Sequence, residues 1–446
     1  LTRRKVANLA AGGSGLLNGL MSNRFYGSFD AETWGGGRRS DYRSCFQVDR
    51  DRVIHSHAFR KLQSKTQVFL SGEYDFYRTR LTHSMEVAQI GRSICIWLLS
   101  RGAPLEVGFL IDSDLVEAVC LAHDMGHPPF GHSGERTLQE LMARYGGFEG
   151  NAQTLHLITE TMFQNESGVR GMQPTRALMD GVLKYKTLRR EFSDTPKNHF
   201  LYDPQEVYRE FVLGGATLAE PRAGDPLNRY KSVECQIMDW ADDAAYSLND
   251  IVDGVRAGFL TIERVEAWAA EVGIDAERQQ WLDALFNALR GDRLEETFSQ
   301  KIGSFIKACR LRERVGPNPM ATSTNRYRFE LVVAAEAERE AAFYKQMAND
   351  IIFESPQLQQ MEHKARKVLF DLWEAAWRNY VEPGGKGSRV IRLLPPRVGR
   401  LVDAAETEAG KARQICDWLA GLTDGMIVRT YRRLHDPDFG SLRDLS

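Results

Sequence analysis

Apolar positions recur at three- and four-residue steps along most of the chain, and alternating β-branched runs are scarce, so helix is the dominant expectation. Over 82–100 the positions Met85, Val87, Ala88, Ile90, Gly91, Ile94 and Leu98 follow helical spacing and predict one long helix. Asp114 is placed to cap a second helix running through Leu115, Val116, Val119, Cys120 and Ala122. The segment Gly126-His127-Pro128-Pro129-Phe130-Gly131 ends it, because two prolines and two glycines do not continue a helix. Helix is expected to resume over 134–144 and again over 152–163. Further helices are predicted at 232–256, 262–271, 276–290, 295–312, 328–349, 355–380 and 402–420. Loops are expected at 12–19, 35–37, 213–228 and 383–388, and no internal repeat is visible. The fold class that follows is all-α. Its expected organisation is a partly flexible N-terminal segment (1–40), a helical core (41–260) and a helical C-terminal region (261–446).

Composition narrows the class. With 446 residues, 43% of them apolar and 26% charged, the chain has the profile of a globular protein, and neither disorder nor a fibre is expected. No apolar run approaches the ~20 residues of a membrane span, so no membrane partner is expected. The basic start, Leu1-Thr2-Arg3-Arg4-Lys5, has no apolar stretch behind it, and no secretory signal is expected in the chain as it stands. Six cysteines, no two closer than 25 residues, exclude a CxxC motif and give no disulfide framework, which fits a reducing cytoplasm. The net charge of −2 argues against a nucleic-acid partner in bulk. The charge is uneven, however: residues 1–80 hold 14 Lys/Arg against 7 Asp/Glu, a net of +7 that leaves −9 for the remainder. Such a segment suits a polyanionic ligand, and a solvated basic surface is the plainer alternative.

Six of the ten histidines (His55, His57, His83, His123, His127, His132) fall within 78 residues, where an even spread would put fewer than two. Histidines clustered with carboxylates are raw material for a metal site. The densest piece runs from His123-Asp124 through His127 to His132 and Glu135. Adjacent His and Asp at a helix end offer a nitrogen and an oxygen to one cation, and the Pro/Gly loop can turn His127 and His132 back over it. That donor set suits Mg, Mn, Fe(II) or Zn better than a thiolate-selected metal. His83 lies on the predicted 82–100 helix and gains weight only as a partner for the 123–124 pair. In the 232–256 helix, Asp242, Tyr246 and Asp250 stand at i, i+4 and i+8, one polar stripe on a helix that Ile237, Ala241, Ala244, Ala245 and Leu248 embed in a core. Carboxylates set in an apolar helix are costly unless they bind a cation or a hydrogen-bond donor.

A His, then a His-Asp doublet, then a distant Asp resembles the HD superfamily of metal-dependent phosphohydrolases. HDMGHPPFGHSGE (123–135), preceded by AFRKLQSKTQVF (58–69) and RLTH (80–83) and followed by ADDAAYSLND (241–250), is more closely similar to the deoxyguanosine triphosphate triphosphohydrolase family. The likeness is close over about 40–260 and returns at 356–369. It implies an HD-domain core, with the C-terminal region contributing to the substrate pocket and to oligomer contacts. It implies that His83, His123, Asp124 and Asp242 hold a divalent metal, Mg or Mn foremost, with Fe, Co and Zn as alternatives. Asp243 is the neighbour with which Asp242 could be confused. The choice rests on Asp242 standing four and eight residues before Tyr246 and Asp250, which match family substrate contacts. His132 and Glu135 match the family's catalytic pair, Arg80 a phosphate-binding arginine, and His127 a polar residue near the phosphates. Gln67 and Asp250 match positions that read the sugar 3′-hydroxyl, and Lys184 and Tyr185 resemble a further substrate segment.

The implied reaction is hydrolysis of a dNTP, dGTP favoured, by water attack at the α-phosphorus, giving deoxynucleoside and intact triphosphate. A bound cation would activate the water, and His132, oriented by Glu135, would protonate the departing 5′-oxygen. Tyr185 and Tyr246 both qualify as the aromatic that excludes a 2′-hydroxyl. The resemblance also implies a homo-oligomer, often a hexamer, tuned by nucleotide. Single-stranded DNA is a further candidate effector. The alternatives are another HD-type hydrolase, a 5′-nucleotidase or cyclic-nucleotide phosphodiesterase, and a nucleotide- or single-strand-binding regulator.

Overall fold

The computed structural model describes residues 23–38, 40–68, 78–101, 105–163, 170–216, 227–316, 318, 320–382 and 391–440. The expected loops at 12–19 and 383–388, and most of 1–40 and 213–228, lie outside the described residues. Among the described residues the fold is all-α with one addition, a two-stranded sheet. No described helix is long and apolar enough to cross a membrane.

The long helix α1 (Arg80–Ser100) starts two residues before its apolar spacing becomes visible, because the Thr79 hydroxyl accepts from the Thr82 amide and caps it. Helix α2 (Ser113–Ala122) is capped by Asp112, not Asp114. The Asp112 carboxylate accepts from the amides of Asp114 and Leu115, whereas Asp114 sits inside the first turn and pairs with Arg50 at 2.5 Å and Arg92 at 3.2 Å. Helix α3 (Gly131–Met142) begins three residues before the expected 134, immediately after the two prolines. Phe130 there takes a left-handed conformation (φ 64°, ψ 19°) that turns the chain straight back into helix. Helix α4 (Gly150–His156) runs on into a π turn, Leu157–Thr161. Helices α5 (Arg176–Val182) and α6 (Val233–Arg256) follow, and the first half also holds Cys45–Ile54 and Glu206–Leu213, which the periodicity does not predict.

Three predicted helices beyond it are corrected. The 295–312 helix stops at Lys307, and Cys309–Glu313 forms a strand paired antiparallel with Phe329–Val333, Leu311 opposite Leu331. The 328–349 helix accordingly starts only at Ala335 (α7, Ala335–Ala348). Strands of five residues offer too few repeats for a period of two to stand out against 3.6. Next come α8 (Pro356–Tyr380) and, in place of one helix at 402–420, a pair: Pro396–Ala404 and α9 (Glu408–Ala420), the second capped by Thr407. A last helix, α10 (Asp424–His435), was not predicted.

Buried apolar side chains form two clusters. The larger one contains the packed trio α1, α2 and α6, with Ile90, Ile94, Val116, Val119, Ile237 and Leu248 among its members. Helices α1 and α2 approach closely at Gly91, where a Cβ would meet Cys120 Sγ at 2.8 Å and Val116 Cγ1 at 3.0 Å. The smaller cluster joins Phe130, Leu138 and Met142 of the α3 segment to Leu369 and Trp373 of α8 and Ile415 and Leu419 of α9. The loop between α2 and α3 therefore leaves one core and enters the other. Residues 123–132 lie on that seam.

Candidate active site

His83 projects from the first turn of α1, His123 and Asp124 follow the last turn of α2, and Asp242 lies mid-way along α6. The three-helix packing brings them together. His83 Nε2 is 3.1 Å from Asp242 Oδ1, and His123 Nε2 is 3.6 Å from the same oxygen and 3.4 Å from Asp124 Oδ1. One nitrogen or oxygen from each of His83, His123 and Asp242 falls within 4.8 Å of the others. Asp243 lines the same cavity, but its carboxylate pairs with Lys345 of α7 at 2.5 Å.

Around this cluster lie the remaining polar groups. Arg80, 1% exposed, donates from Nη1 to Asp124 Oδ2 at 2.6 Å, while its Nε and Nη2 are buried without partners. His127 Nδ1 is 3.0 Å from Asp124 Oδ1. In the first turn of α3, His132 Nδ1 lies 3.1 Å from Glu135 Oε2, and the other Glu135 oxygen accepts from the Gly150 amide at 2.7 Å. The imidazole of His132 is open to solvent on its other side, 59% exposed. Lys184 reaches Asp239 at 2.7 Å and Asp242 at 3.4 Å, and Tyr185 stacks on His199 with ring centroids 4.2 Å apart. Gln67, Arg80, His127, His132, Glu135, Lys184, Tyr185 and Tyr246 all line one cavity of about 360 Å³ with the His/Asp cluster. Asp250, one turn beyond Tyr246 on α6, is buried outside that lining, and its Oδ2 has no hydrogen-bond partner.

Charge in the cavity follows from this geometry. Burial opposes ionisation of Asp124 and Asp242, yet both carboxyls are held well below the usual carboxylate range, Asp124 by His123, His127 and Arg80, and Asp242 by Lys184 and His123. Burial would lower His123, but Asp124 and Asp242 lift it to about 9. Asp250 goes the other way: burial, with Asp253 nearby, pushes its carboxyl well up.

Residues 80–246, the stretch that opens at Arg80 and closes at Tyr246, match the HD domain family, and residues 331–433 match the phosphohydrolase-associated domain. A deoxyguanosinetriphosphate triphosphohydrolase-like protein of Shewanella loihica is 34% identical over an alignment covering 92% of this chain and 96% of that protein. Proteins of the same description in Deinococcus radiodurans (33% identical, 91% of this chain and 95% of that one) and Vibrio vulnificus (31%, 89% and 94%) are similar to it along nearly the same length. The chain belongs to the deoxyguanosinetriphosphate triphosphohydrolase-like family. It is therefore an HD-class hydrolase.

For an HD hydrolase the question is whether these donors suit a divalent cation, and they do. His123 Nδ1 lies 2.6 Å from the Cys120 carbonyl, which holds a proton there and leaves Nε2, buried and without a hydrogen bond, facing Asp124 and Asp242 as the nitrogen whose proton a cation would replace. Asp124 is oriented by Arg80 through one oxygen and presents the other to His123. Two imidazoles and two carboxylates, all lining one cavity, form a borderline-hard donor set.

Five lining residues escaped the sequence reading: Glu149, Asn151, Asn198, His199 and Lys345. Glu149 caps α4 through the Ala152 amide at 2.7 Å, and Lys345 comes from α7. Neither carries a local sequence signal of the cavity, because each reaches it through packing of a distant segment.

Proposed function

We propose that the protein hydrolyses deoxynucleoside triphosphates, dGTP foremost, to deoxynucleoside and inorganic triphosphate. The observation that carries this reading is the His132–Glu135 pair standing beside the His/Asp cluster in one cavity, with two unpaired nitrogens of Arg80 buried next to them. The names of the relatives point the same way. His83, His123, Asp124 and Asp242 would hold the cation, Mg or Mn foremost. When bound, it supplies Lewis-acid activation of water and of a phosphoryl oxygen.

The chain's own residues do the rest. Arg80 offers Nε and Nη2 to phosphate oxygens, and Asp124 holds its guanidinium in place. Lys184 extends the cationic lining along the triphosphate, and His127, whose charged form burial and Arg80 disfavour, is a polar group beside the phosphates. Water attack at the α-phosphorus expels the nucleoside 5′-oxygen, a poor leaving group, and His132 delivers a proton to it. The Glu135 carboxylate, itself braced by the Gly150 amide, orients the imidazole and stabilises its charged form. The buried and unpartnered Gln67 Oε1 is an acceptor suited to a 3′-hydroxyl, and Asp250, its carboxyl pushed well up by burial, offers that hydroxyl a second partner from just outside the cavity lining. Tyr185 or Tyr246 closes off C2′ against a ribonucleotide. The same reading makes the enzyme a cytoplasmic homo-oligomer, a hexamer by expectation, with a nucleotide or single-stranded DNA as effector; light scattering with and without nucleotide tests it.

The decisive experiment incubates the protein with Mn²⁺ or Mg²⁺ and each dNTP and NTP, and resolves products by ion exchange. Deoxynucleoside plus intact triphosphate, lost in His123→Ala, is the expected result. Release of monophosphate, diphosphate or phosphate would assign the site to a different HD hydrolase, and binding without turnover to a regulator.

A further inference from the structure

The catalytic pair sits at the start of α3, and the chain reaches that point through an unusual turn. Phe130 and Gly131 are consecutive residues with positive φ, 64° and 57°. Phe130 is a bulky residue in a region that L-residues avoid, and it caps α3 without a side-chain hydrogen bond of its own. Such a conformation persists only where the surroundings over-determine it.

The group that holds this turn comes from nearly 300 residues away. Asp424, the first residue of α10, is 4% exposed, and its Oδ1 accepts from the Phe130 amide at 2.9 Å. Its Oδ2 accepts from the Thr66 amide at 2.8 Å and from the Thr66 hydroxyl. Thr66 precedes Gln67 and bridges to Thr79, which precedes Arg80. A single buried carboxylate therefore clamps together the segments that carry Gln67, Arg80 and His132. The packing there is tight: a Cβ on Gly131 would lie 3.0 Å from Arg80 Nη2 and 3.3 Å from the Thr66 carbonyl oxygen. Two lysines fasten the same α9–α10 corner to the same segments. Lys65 donates to the carbonyls of His127 (2.5 Å) and Ala420 (3.0 Å), and Lys61 donates to that of Gly421 (2.6 Å).

We propose that Asp424 is a positioning residue for the reaction, setting the place of His132 by bonding the Phe130 amide and Thr66 at once. The inference rests on the reading of His132 as proton donor to the 5′-oxygen. It predicts that loss of Asp424 acts through His132 and not through general loosening.

The test is a double-mutant cycle on the full-length protein with dGTP, comparing wild type, Asp424→Asn, His132→Ala and the double variant. Asp424→Asn keeps the shape but turns an amide NH2 group toward one of its donors. Its kcat is expected to fall about 10- to 100-fold with KM changed less than about threefold, since a displacement near 1 Å costs on this order. In the His132→Ala background the same substitution is expected to change the residual kcat less than about twofold. An equal fall in both backgrounds, or no fall in wild type, overturns the proposal. If Asp424→Asn does not fold, Thr66→Val removes only one hydroxyl donor and repeats the cycle. Its kcat is expected to fall about 3- to 10-fold, again only where His132 is present, and a fall in both backgrounds overturns the proposal equally. A wild type that yields no triphosphate overturns the proposed function and this inference with it, whereas an active wild type with an additive cycle overturns this inference alone.

Discussion

Glu135 and Glu149 face the same cavity and are driven apart by it. Burial opposes the charge on Glu135, but the His132 hydrogen bond, His127 and the Gly150 amide bring it down to about 2, so it is a carboxylate at any working pH. Glu149, buried and next to that fixed charge, is pushed up to about 8. A folded-state value above the unfolded value of about 4.3 means that the native protein holds a proton the unfolded chain releases, so stability falls as pH rises through that window. Urea denaturation should therefore show wild type losing about 1–4 kcal/mol between pH 6 and 9 from this group. Glu149→Gln, which cannot ionise, should lose measurably less, and parallel pH curves for the two proteins would refute the assignment. On activity, the proposed role of His132 predicts that His132→Ala lowers kcat about 10²- to 10⁴-fold with little change in KM, because proton delivery would be needed only as the 5′-oxygen departs. Steady-state kinetics with product identification reads both constants.

Helix crossings, more than individual side chains, set the spacing of the His/Asp cluster. The close approach at Gly91 fixes how far α1, which carries His83, stands from α2, which ends at His123. Gly91→Val should push the two apart, costing about 1–3 kcal/mol in a packed core and reducing bound metal per chain by elemental analysis, while an unchanged metal content would sink the argument. A second crossing is tied by charge: Arg326, fully buried, donates from Nε to Glu234 on α6 and pairs with Asp180 on α5, each at 3.0 Å, and Lys186 reaches the same Asp180 at 2.9 Å. Arg326→Met would strand Glu234 in the core and should destabilise the fold by about 3–5 kcal/mol in chemical denaturation. These elements also show what was readable in advance. Helices α1, α2 and α6 are long and strongly periodic, and the residues that converge on the cavity sit on them or on the Pro/Gly loop beside them, so both helix and motif were visible in order. The 309–333 hairpin was not, because five-residue strands with a half-exposed face mimic a helix end. The Asp112 cap was misread by two residues because Asp112 and Asp114 are equivalent in type, and only backbone geometry separates them. Asp424 carries no local pattern, since its partners are Phe130 and Thr66, and Glu149 carries only that of a helix cap, through the Ala152 amide, which says nothing of the cavity.

Across the whole molecule, the two hydrophobic cores divide the cavity's groups between them: His83, His123 and Asp242 are carried by helices of the larger core, while His132 and Glu135 ride on α3, packed in the smaller one. Whether a cation stabilises one core or both depends on how strongly the seam couples them. The seam is built of buried polar bonds. Asp417 of α9 lies 3.0 Å from His156 Nε2 and accepts from Gln153 at 3.0 Å, Arg413 donates to the Gly147 carbonyl at 2.5 Å, and Asp424 and Lys65 close the other side. Opening the seam while either core stayed folded would leave these groups unpaired in a partly buried setting, at about 1–3 kcal/mol each. Their number makes such a half-open state unfavourable by more than a typical metal ion contributes, since a ligand at 100 times its Kd adds only about 2.7 kcal/mol. Differential scanning calorimetry of chelator-treated protein should therefore show one transition, and reconstitution with Mn²⁺ should move all of it upward. His123→Ala should show the same single transition and no shift on adding metal. Two resolved transitions, with only one responding to Mn²⁺, would mean that the C-terminal core folds independently of the site and that the seam does not transmit the cation's stabilisation to α3.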